Sequence, residues 1–453
     1  MLPEDTLLEI FDLYRLDIME SSFQRPWKWH RLAHVCRKWR NVISMSPRRL
    51  NLRVLCENGA PIESILGSWP TLPLVVRHYG LRSKSLPNNV VAALRRLHRL
   101  CEIDFVLPSS LIGPIVEAMQ EPLQGLESIR VTIENATGPP MLVREAFLGG
   151  SAPKLREIKL DGVAFLFPAM RQVLLSTNKL VELHLTNIPN DAYFSPHDLV
   201  TGLSTLDQLK RLSIGFHSPP IFFSPLSMTR SLQRTTLPSL TSLGFYGSSD
   251  YLEEFVARID LPALHTITIR LFDQIFFEIP QFSQFVRRPN SQASPTSMTM
   301  RHSVGSISII LGEQGSTFGG CLMVTFCRRF DWQLSFATQI LSQLSPLLSS
   351  VQYLTILGGH ELPAGVEDVD STQWLELFQP FTHASKVYVS EEQLLPSIVQ
   401  ALFAEEMSTE VLPELISLSL QGYDRDPFVS KAVEQFVATR KLSGRTVDLM
   451  ESG

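Results

Sequence analysis

Hydrophobic residues recur along the chain in a short cassette, L-x-x-L-x-L, whose three aliphatic positions are separated by polar ones. The clearest copy is formed by Leu155, Ile158 and Leu160. Copies with this spacing begin at Leu100, Leu126, Leu155, Leu180, Leu209, Leu240 and Leu264, and after a longer gap at Val304, Val351, Ala384 and Leu415. Steps in the first group run from 24 residues (264 − 240) to 31 residues (240 − 209). A fixed period in this range is typical of repeat proteins.

Each cassette predicts a short strand, because its last four positions alternate between apolar and polar residues with a period of two. The sequence between cassettes changes to helical spacing, for example at Leu252, Phe255, Val256 and Ile259. A strand and a helix of this length cannot bury their own apolar faces, so successive units must stack on one another. The pattern therefore predicts an α/β chain of stacked units.

The first 50 residues have a different, all-helical pattern. Apolar residues recur at i, i+3, i+4 and i+7 in two places, which predicts two helices with one apolar face each. These residues are Leu7, Ile10, Phe11 and Tyr14 in the first helix and Leu32, Val35, Cys36 and Trp39 in the second. Ser46-Pro47 is expected to end the second helix. The residues between the helices predict a loop or a short middle helix.

Several N-terminal residues are similar in order and spacing to the F-box motif. They are Leu2-Pro3, Ile10-Phe11, the run Leu32-x-x-Val35-Cys36-Arg37-Lys38-Trp39-Arg40, and Ser46-Pro47. The later run FDWQLSFATQILSQLSPLLSSVQYLTI and the cassettes resemble fungal F-box proteins with leucine-rich-repeat-like tails, over nearly the whole chain. The chain departs from the pattern in its insert at 15–30. It also lacks the Asn that usually follows the repeat strand.

This resemblance implies a fold, a function and a set of contacts. It implies a small all-helical F-box module at 1–50, a connecting segment at 51–89, and an irregular leucine-rich-repeat-like solenoid (horseshoe) at 90–450. The implied function is substrate recognition in a Skp–cullin–F-box type E3 ubiquitin ligase, in which the F-box binds the Skp-type adaptor and the repeats bind an unknown protein substrate. The adaptor contacts would be Leu2, Pro3, Ile10, Leu32, Val35, Cys36 and Trp39.

Two alternatives remain open for these N-terminal residues. Leu32, Val35, Cys36 and Trp39 either meet the adaptor or close the core between the two helices. For Leu2 and Pro3 we expect partner contact, because the helical spacing gives them little role in the core. A non-catalytic scaffolding repeat protein outside ubiquitination is the alternative function, and a hydrolase with a dispersed site is a more distant one.

The outward strand positions predict a polar strip that differs between the two halves of the chain. In the first half it is charged, and we expect substrate contacts at Glu157, Lys159, Glu182, His184 and Arg211. Beyond residue 213 the strip becomes mostly short and neutral. Any exposed sheet face must be polar, so a purely structural role is the simpler explanation for each position taken singly, but it does not explain the asymmetry.

Composition narrows the function further. A net charge of −5 argues against general nucleic-acid binding. The chain shows no apolar run of membrane-spanning length and no N-terminal signal segment, so we expect an intracellular protein, cytoplasmic or nuclear. Its five scattered cysteines indicate a reducing compartment. We find no catalytic or metal-binding motif, and we expect no enzyme and no cofactor.

Three other segments carry expectations. Residues 217–237 and 289–303 are rich in turn-forming residues, and the second of them predicts an unstructured insert. Ser390-x-x-Gln393 has the form of a helix-capping box. A long helix is expected from Phe428 to Leu442 as the cap of the repeats, opened by Asp426-Pro427 and ended at Gly444.

Overall fold

The computed structural model describes residues 2–21, 29–46, 53–56, 67, 72–80, 88–134, 142–143, 147–219, 234–272, 278–288, 294–303, 305–313, 322–327, 330–358, 371–403 and 411–450. These residues form a mixed α/β protein with mostly parallel strands. The chain divides into two compact units, Met1–Ala192 and Tyr193–Gly453. The division falls inside the segment predicted as one solenoid.

The first unit begins with three helices and continues with parallel strands and three further helices. Its helices are α1 (Glu4–Ser21), α2 (Trp29–Ala33), α3 (Arg37–Met45), α4 (Asn88–Leu94), α5 (Ile112–Ala118) and α6 (Phe167–Ser176). Its strands are β1 (Val54–Cys56), β2 (Leu74–Tyr79), β3 (Leu100–Pro108), β4 (Ser128–Glu134), β5 (Leu142–Val143), β6 (Glu157–Asp161), β7 (Ala164–Phe165) and β8 (Glu182–Ile188).

The main strands of the first unit pair in parallel in the order β1-β2-β3-β4-β6-β8. β5 and β7 form a separate pair. The segment 51–89, predicted only as a connection, thus already contains two strands of the sheet. The sheet therefore begins at Val54 and not near residue 90.

The second unit contains the remaining elements. Its helices are α7 (Pro196–Leu203), α8 (Ser249–Ala257), α9 (Pro280–Val286), α10 (Phe330–Leu348), α11 (Ser371–Phe378), α12 (Leu395–Phe403) and α13 (Pro427–Leu442). Its strands are β9 (Arg211–Phe216), β10 (Thr235–Thr236), β11 (Ser242–Gly247), β12 (Ile259–Asp260), β13 (Thr266–Leu271), β14 (Ser297–Ser303), β15 (Ser306–Gly312), β16 (Leu322–Cys327), β17 (Tyr353–Leu357), β18 (Lys386–Val389), β19 (Ser417–Leu420) and β20 (Asp448–Leu449).

The second unit's sheet has the order β9-β11-β13-β16-β15-β14-β17-β18-β19-β20. All neighbours are parallel except at β15, which runs antiparallel to both β14 and β16. The expectation of an unstructured insert at 289–303 is wrong for its second part, because β14 occupies Ser297–Ser303. The cassette that starts at Val304 also differs from the other repeats, because its strand, β15, runs antiparallel to its two neighbours.

The cassettes lie in strands as predicted, and their aliphatic residues form the core. Leu155, Ile158 and Leu160 are 0%, 0% and 2% exposed, and the corresponding residues of the other described copies are also buried. The polar residues between them are at least partly exposed in most strands. This is the division between faces that a period of two imposes on a half-buried strand.

A turn that precedes most cassettes extends the repeated pattern. The amide of the first cassette residue donates to the carbonyl three residues earlier, as in Leu155 to Ala152 (3.1 Å), Leu240 to Leu237 (3.4 Å) and Leu415 to Leu412 (3.1 Å). A second recurring contact follows it: the carbonyl of Arg156 accepts from two successive amides, those of Val181 (2.8 Å) and Glu182 (3.0 Å). Equivalent paired bonds precede β6, β11, β13, β17, β18 and β19.

The C-terminal part of the chain departs in part from expectation. α13 begins and ends as predicted, with the Asp426 carboxylate accepting from the Phe428 amide (2.8 Å) and Gly444 at a φ of +78°. α13 is followed by β20, which pairs with β19. The last described element of the repeats is therefore a strand, and not the helix that was expected to cap them. The capping box at Ser390 does not form, because Glu391 occupies the cap position of the short helical turn at Glu392–Leu394 and makes no capping hydrogen bond to its amides.

Adjacent residues of β13 test the division between the two faces. Ile267 is 0% exposed, so Ile267→Asp would bury an unpaired carboxylate and should cost more than about 3 kcal/mol of unfolding free energy. Thr268 is half-buried on the other face, and Thr268→Asp should change stability by no more than about 0.5 kcal/mol. Denaturant melts of both variants measure the difference. Equal losses would contradict the assigned faces.

Candidate functional site

The outward residues of β3, β4, β6 and β8 form two rows across the first unit's sheet. The acidic row follows the strand register from Glu102 through Ser128 and Glu157 to Glu182. The second row lies beside it and consists of Asp104, Arg130, Lys159 and His184. We call it the basic row after its last three members, although its first member is an acid. We call these eight residues the charged strip. The parallel register produces the charged strip, because the register places equivalent cassette positions of successive repeats side by side.

Glu157 is the centre of this strip. Its carboxylate accepts from Arg130 Nε (2.9 Å) and Nη2 (2.5 Å), from Lys159 Nζ (2.6 Å) and from Ser128 Oγ (2.9 Å). Lys159 also contacts Glu182 Oε2 at 3.0 Å. Two-point contact with a guanidinium is among the stronger ion pairs in proteins, so the strip is laterally cross-linked from β4 to β8.

Arg77 of β2 and Arg53, which directly precedes β1, complete the network at the other end. Arg77 Nη2 contacts Glu102 Oε1 at 2.8 Å, and Arg53 lies 3.8 Å from the same carboxylate. Arg53 also pairs with Glu127. Tyr79 donates its hydroxyl to Asp104 Oδ2 (2.8 Å). Neither arginine was expected here, because both lie in the segment predicted to be a connection.

The cations of the strip are more exposed than the acids. The side chains of Arg130 and Lys159 are each 38% exposed, whereas those of Glu102, Glu157 and Glu182 are 14%, 13% and 16% exposed. An approaching partner therefore meets ammonium and guanidinium groups first. The carboxylates lie beneath and between them.

The network shifts the titration of its members. Burial by itself would raise the pKa of Glu157, but hydrogen bonds from Arg130, Lys159 and Ser128 outweigh it and lower that pKa to about 2. The hydrogen bond to Glu157 raises the pKa of Arg130. Burial, followed by the charge of Lys159, lowers the pKa of His184, so its imidazole is neutral at pH 7. The positive charge of the basic row thus comes from Arg130 and Lys159.

Of the residues expected to contact a substrate, the structure brings four together. Glu157, Lys159, Glu182 and His184 lie in the charged strip. Arg211 belongs to the second unit, where it is exposed at the start of β9 with Ser242 as its register partner.

The residues expected to contact an adaptor lie on the three N-terminal helices and differ in exposure. Leu2 is 50% exposed, Ile10 38% and Val35 59%, and Pro3 is also exposed. Leu32 is half-buried. The core of these helices is formed instead by Leu7, Leu8, Phe11, Ala33, Val42 and Ile43. Exposed Leu13 and Met45 belong to the same apolar set, and the helical spacing alone did not identify them.

The expected second helix is broken, which corrects the roles of Val35 and Cys36. α2 ends at Ala33, and Cys36 takes an extended conformation and caps α3, its sulfur accepting from the Trp39 amide at 3.5 Å. Val35 and Cys36 are exposed, so they do not close the core. Trp39 packs edge-on against Phe11, with ring centroids 4.9 Å apart.

In the described part of the chain, no group of three or more His, Cys, Asp or Glu residues could hold a metal ion. Among the described helices, none combines the length and apolar character needed to span a bilayer. Phe222 and Phe223, which belong to the turn-rich segment 217–237, lie outside the described residues.

The chain matches no protein-family model, and no curated protein matches its sequence.

The depressed pKa of Glu157 predicts an acid-sensitive part of the stability. A lowered folded-state pKa stabilises the protein fully above the unfolded value of 4.5, and the contribution is lost as the pH falls towards about 2. After allowance for its half-exposed partners, this contribution is about 2 kcal/mol. Glu157→Gln should therefore lose about 2 kcal/mol at pH 7 and less as the pH falls.

Denaturant melts between pH 7 and pH 3 test this, with Glu121→Gln as the control because Glu121 is exposed in the same unit. The control should match the unmodified protein at every pH. A loss for Glu157→Gln that does not shrink on acidification would contradict the charged role of this carboxylate.

Proposed function

We propose that this chain is the substrate receptor of a Skp–cullin–F-box type ubiquitin ligase. In this proposal the N-terminal helices bind the Skp-type adaptor, and the repeated strands present a protein substrate. One observation carries it: Leu2, Ile10 and Val35 are exposed on a small helical module whose core is already filled by other residues.

Exposed apolar side chains of this kind leave a large part of their surface uncovered within the module. Burial of a leucine or valine side chain stabilises by about 1.5 to 3 kcal/mol, which is available only if another protein covers it. Lys38 of α3 donates to the Leu2 carbonyl at 2.7 Å, which ties the N-terminal segment to the start of α3. Val35 lies just before that helix, so Leu2 and Val35 belong to one region of the module.

The broken second helix narrows the proposed adaptor contact. Cys36 and Trp39 have structural roles as a helix cap and as a partner of Phe11. The proposed contact therefore centres on Leu2, Pro3, Ile10 and Val35, with Leu32 at its edge.

On the substrate side, the repeated strand register supports a leucine-rich-repeat-like arrangement within each unit. The turn before the cassette and the paired amide bonds recur in both units, which is typical of stacked repeats. Stacked repeats display their outward residues as continuous rows, and such rows suit recognition of an extended partner segment.

A scaffolding protein outside ubiquitination is the second candidate, and one observation favours it. The charged residues of the strip largely form ion pairs with one another, as at Glu157. Such ion pairs would be sufficient if the strip only stabilised the sheet. The two candidates differ at the N-terminal helices, because the scaffold has no need of an adaptor.

Removing two of the exposed side chains tests the adaptor contact. The double variant Leu2→Ala/Val35→Ala should bind a purified Skp-type adaptor roughly thirtyfold more weakly, since anchors of this kind together contribute about 2 kcal/mol or more. Both residues are exposed, so the thermal melting curve should stay unchanged.

Isothermal titration of the full chain with the adaptor measures this affinity. The matched control is Leu442→Ala/Met450→Ala, which removes two apolar side chains that are 89% and 55% exposed near the other end of the chain. This control should bind like the unmodified protein. Undiminished binding by Leu2→Ala/Val35→Ala would remove the proposed contact, and a lack of binding by the unmodified chain would favour the scaffold.

A further inference from the structure

The charges of the N-terminal helices are segregated along the chain. α1 contains six Asp or Glu residues and one Arg. Residues 22–56, which include α2 and α3, contain nine Lys or Arg residues and no Asp or Glu. A chain with a net charge of −5 therefore carries a strongly basic segment directly after a strongly acidic helix.

Three exposed cations of this segment lie around the turn that joins α2 to α3. Arg31 belongs to α2, and Arg37 and Arg40 lie three residues apart on one side of α3. Arg40 Nε donates to the Ala33 carbonyl at 3.0 Å, so this side chain reaches back across the turn to the end of α2. Val35, within the turn, thus has cations before and after it. We call Arg31, Arg37 and Arg40 the basic patch.

The basic patch does not serve the stability of the helices. Arg37 and Lys38 open α3, whose first turn contains no acid. The amino end of a helix carries partial positive charge, so cations there are unfavourable. No ion pair in the described part of the chain includes Arg31, Arg37 or Arg40. Side chains that oppose local stability are expected mainly at functional sites.

We propose that the basic patch docks against a carboxylate-rich surface of the Skp-type adaptor and accelerates the association of the two proteins, while Val35 and Leu2 anchor the complex once it has formed. This inference rests on the proposed function, because it takes the adaptor as the partner. It adds the charge of the adaptor surface and a division of roles. Complementary charges mainly raise the rate of association, whereas buried apolar anchors mainly slow dissociation.

The surroundings of the basic patch favour a protein partner over a nucleic acid. Protein interfaces combine an apolar centre with a polar rim and are enriched in arginine. Val35 is 59% exposed and Leu2 50%, and Lys38 ties the Leu2 carbonyl to α3. Binding of single-stranded nucleic acid uses aromatic side chains on which bases stack. Trp39 of α3 packs against Phe11 instead.

Stopped-flow association of the full chain with a purified Skp-type adaptor tests the proposal. Arg31→Gln/Arg37→Gln should associate about fivefold more slowly than the unmodified protein at roughly 50 mM salt. At roughly 500 mM salt the two rates should agree within about twofold, because salt screens exposed charges. The dissociation rate of this variant should change by less than about twofold.

Three further variants serve as controls. Arg31→Lys/Arg37→Lys keeps both charges and should associate like the unmodified protein. Arg171→Gln/Lys179→Gln removes two exposed cations from elsewhere in the first unit and should leave the association rate within about twofold. Leu2→Ala/Val35→Ala should show the opposite pattern, with faster dissociation and little change in association.

Equal slowing by Arg31→Gln/Arg37→Gln and by Arg171→Gln/Lys179→Gln would overturn the proposal, as would a loss that high salt does not remove. Normal adaptor binding with unchanged association rates would overturn it and leave the proposed function standing. A lack of binding by the unmodified chain would overturn both. Binding of a single-stranded RNA at these arginines more tightly than of the adaptor would assign the basic patch to nucleic acid.

Thermal melts separate binding from folding. Arg31→Gln/Arg37→Gln should melt at or slightly above the temperature of the unmodified protein, because the substitution at Arg37 removes a cation from the amino end of α3. A lowered melting temperature would contradict the assignment of these arginines to binding.

Discussion

In-register pairing of short strands is the constraint on which both units depend. Because Ile129, Ile158 and Leu183 stand side by side, each buries its side chain against equivalent neighbours and none is exposed to water. The same register aligns the intervening polar residues into rows. The core and the charged strip are therefore two consequences of one pairing pattern, and a slip of one residue would exchange them.

The two units use this pattern to present different surfaces. In the first, acids and cations alternate between adjacent rows and neutralise one another, with Glu157 held by Arg130 and Lys159. In the second, the main strands up to β19 lack acids, and cations such as Arg270 and Lys386 lie over tyrosine rings. The first arrangement stabilises its own sheet.

Much of this could be predicted from hydrophobic spacing, and the exceptions have physical causes. The cassettes identified the strands correctly because a half-buried strand alternates with a period of two. That alternation is the same in either chain direction, so the cassette at Ile307 and Ile309 could not reveal that β15 runs antiparallel. Composition suggested disorder at 289–303, yet Met298 and Met300 are fully buried in β14.

The candidate sites were predictable in a similar measure. Glu157, Lys159, Glu182 and His184 were identified because they occupy the two outward positions of successive cassettes. Arg53 and Arg77 were missed because β1 and β2 lack a recognisable cassette. The break at Cys36 was missed because helical spacing continues through it, whereas the backbone there is extended. The start of each strand could have been predicted more clearly from the turn before it. The sequences A-P-K-L at 152 and L-P-S-L at 237 form this turn.

We propose that this protein is the receptor of a ubiquitin ligase. Affinity purification of the tagged full chain from extract of its own cells, followed by quantitative mass spectrometry, tests this proposal. A Skp-type adaptor and a cullin should both be enriched over a tag-only control. A purification that recovers abundant chain with neither adaptor nor cullin would contradict it.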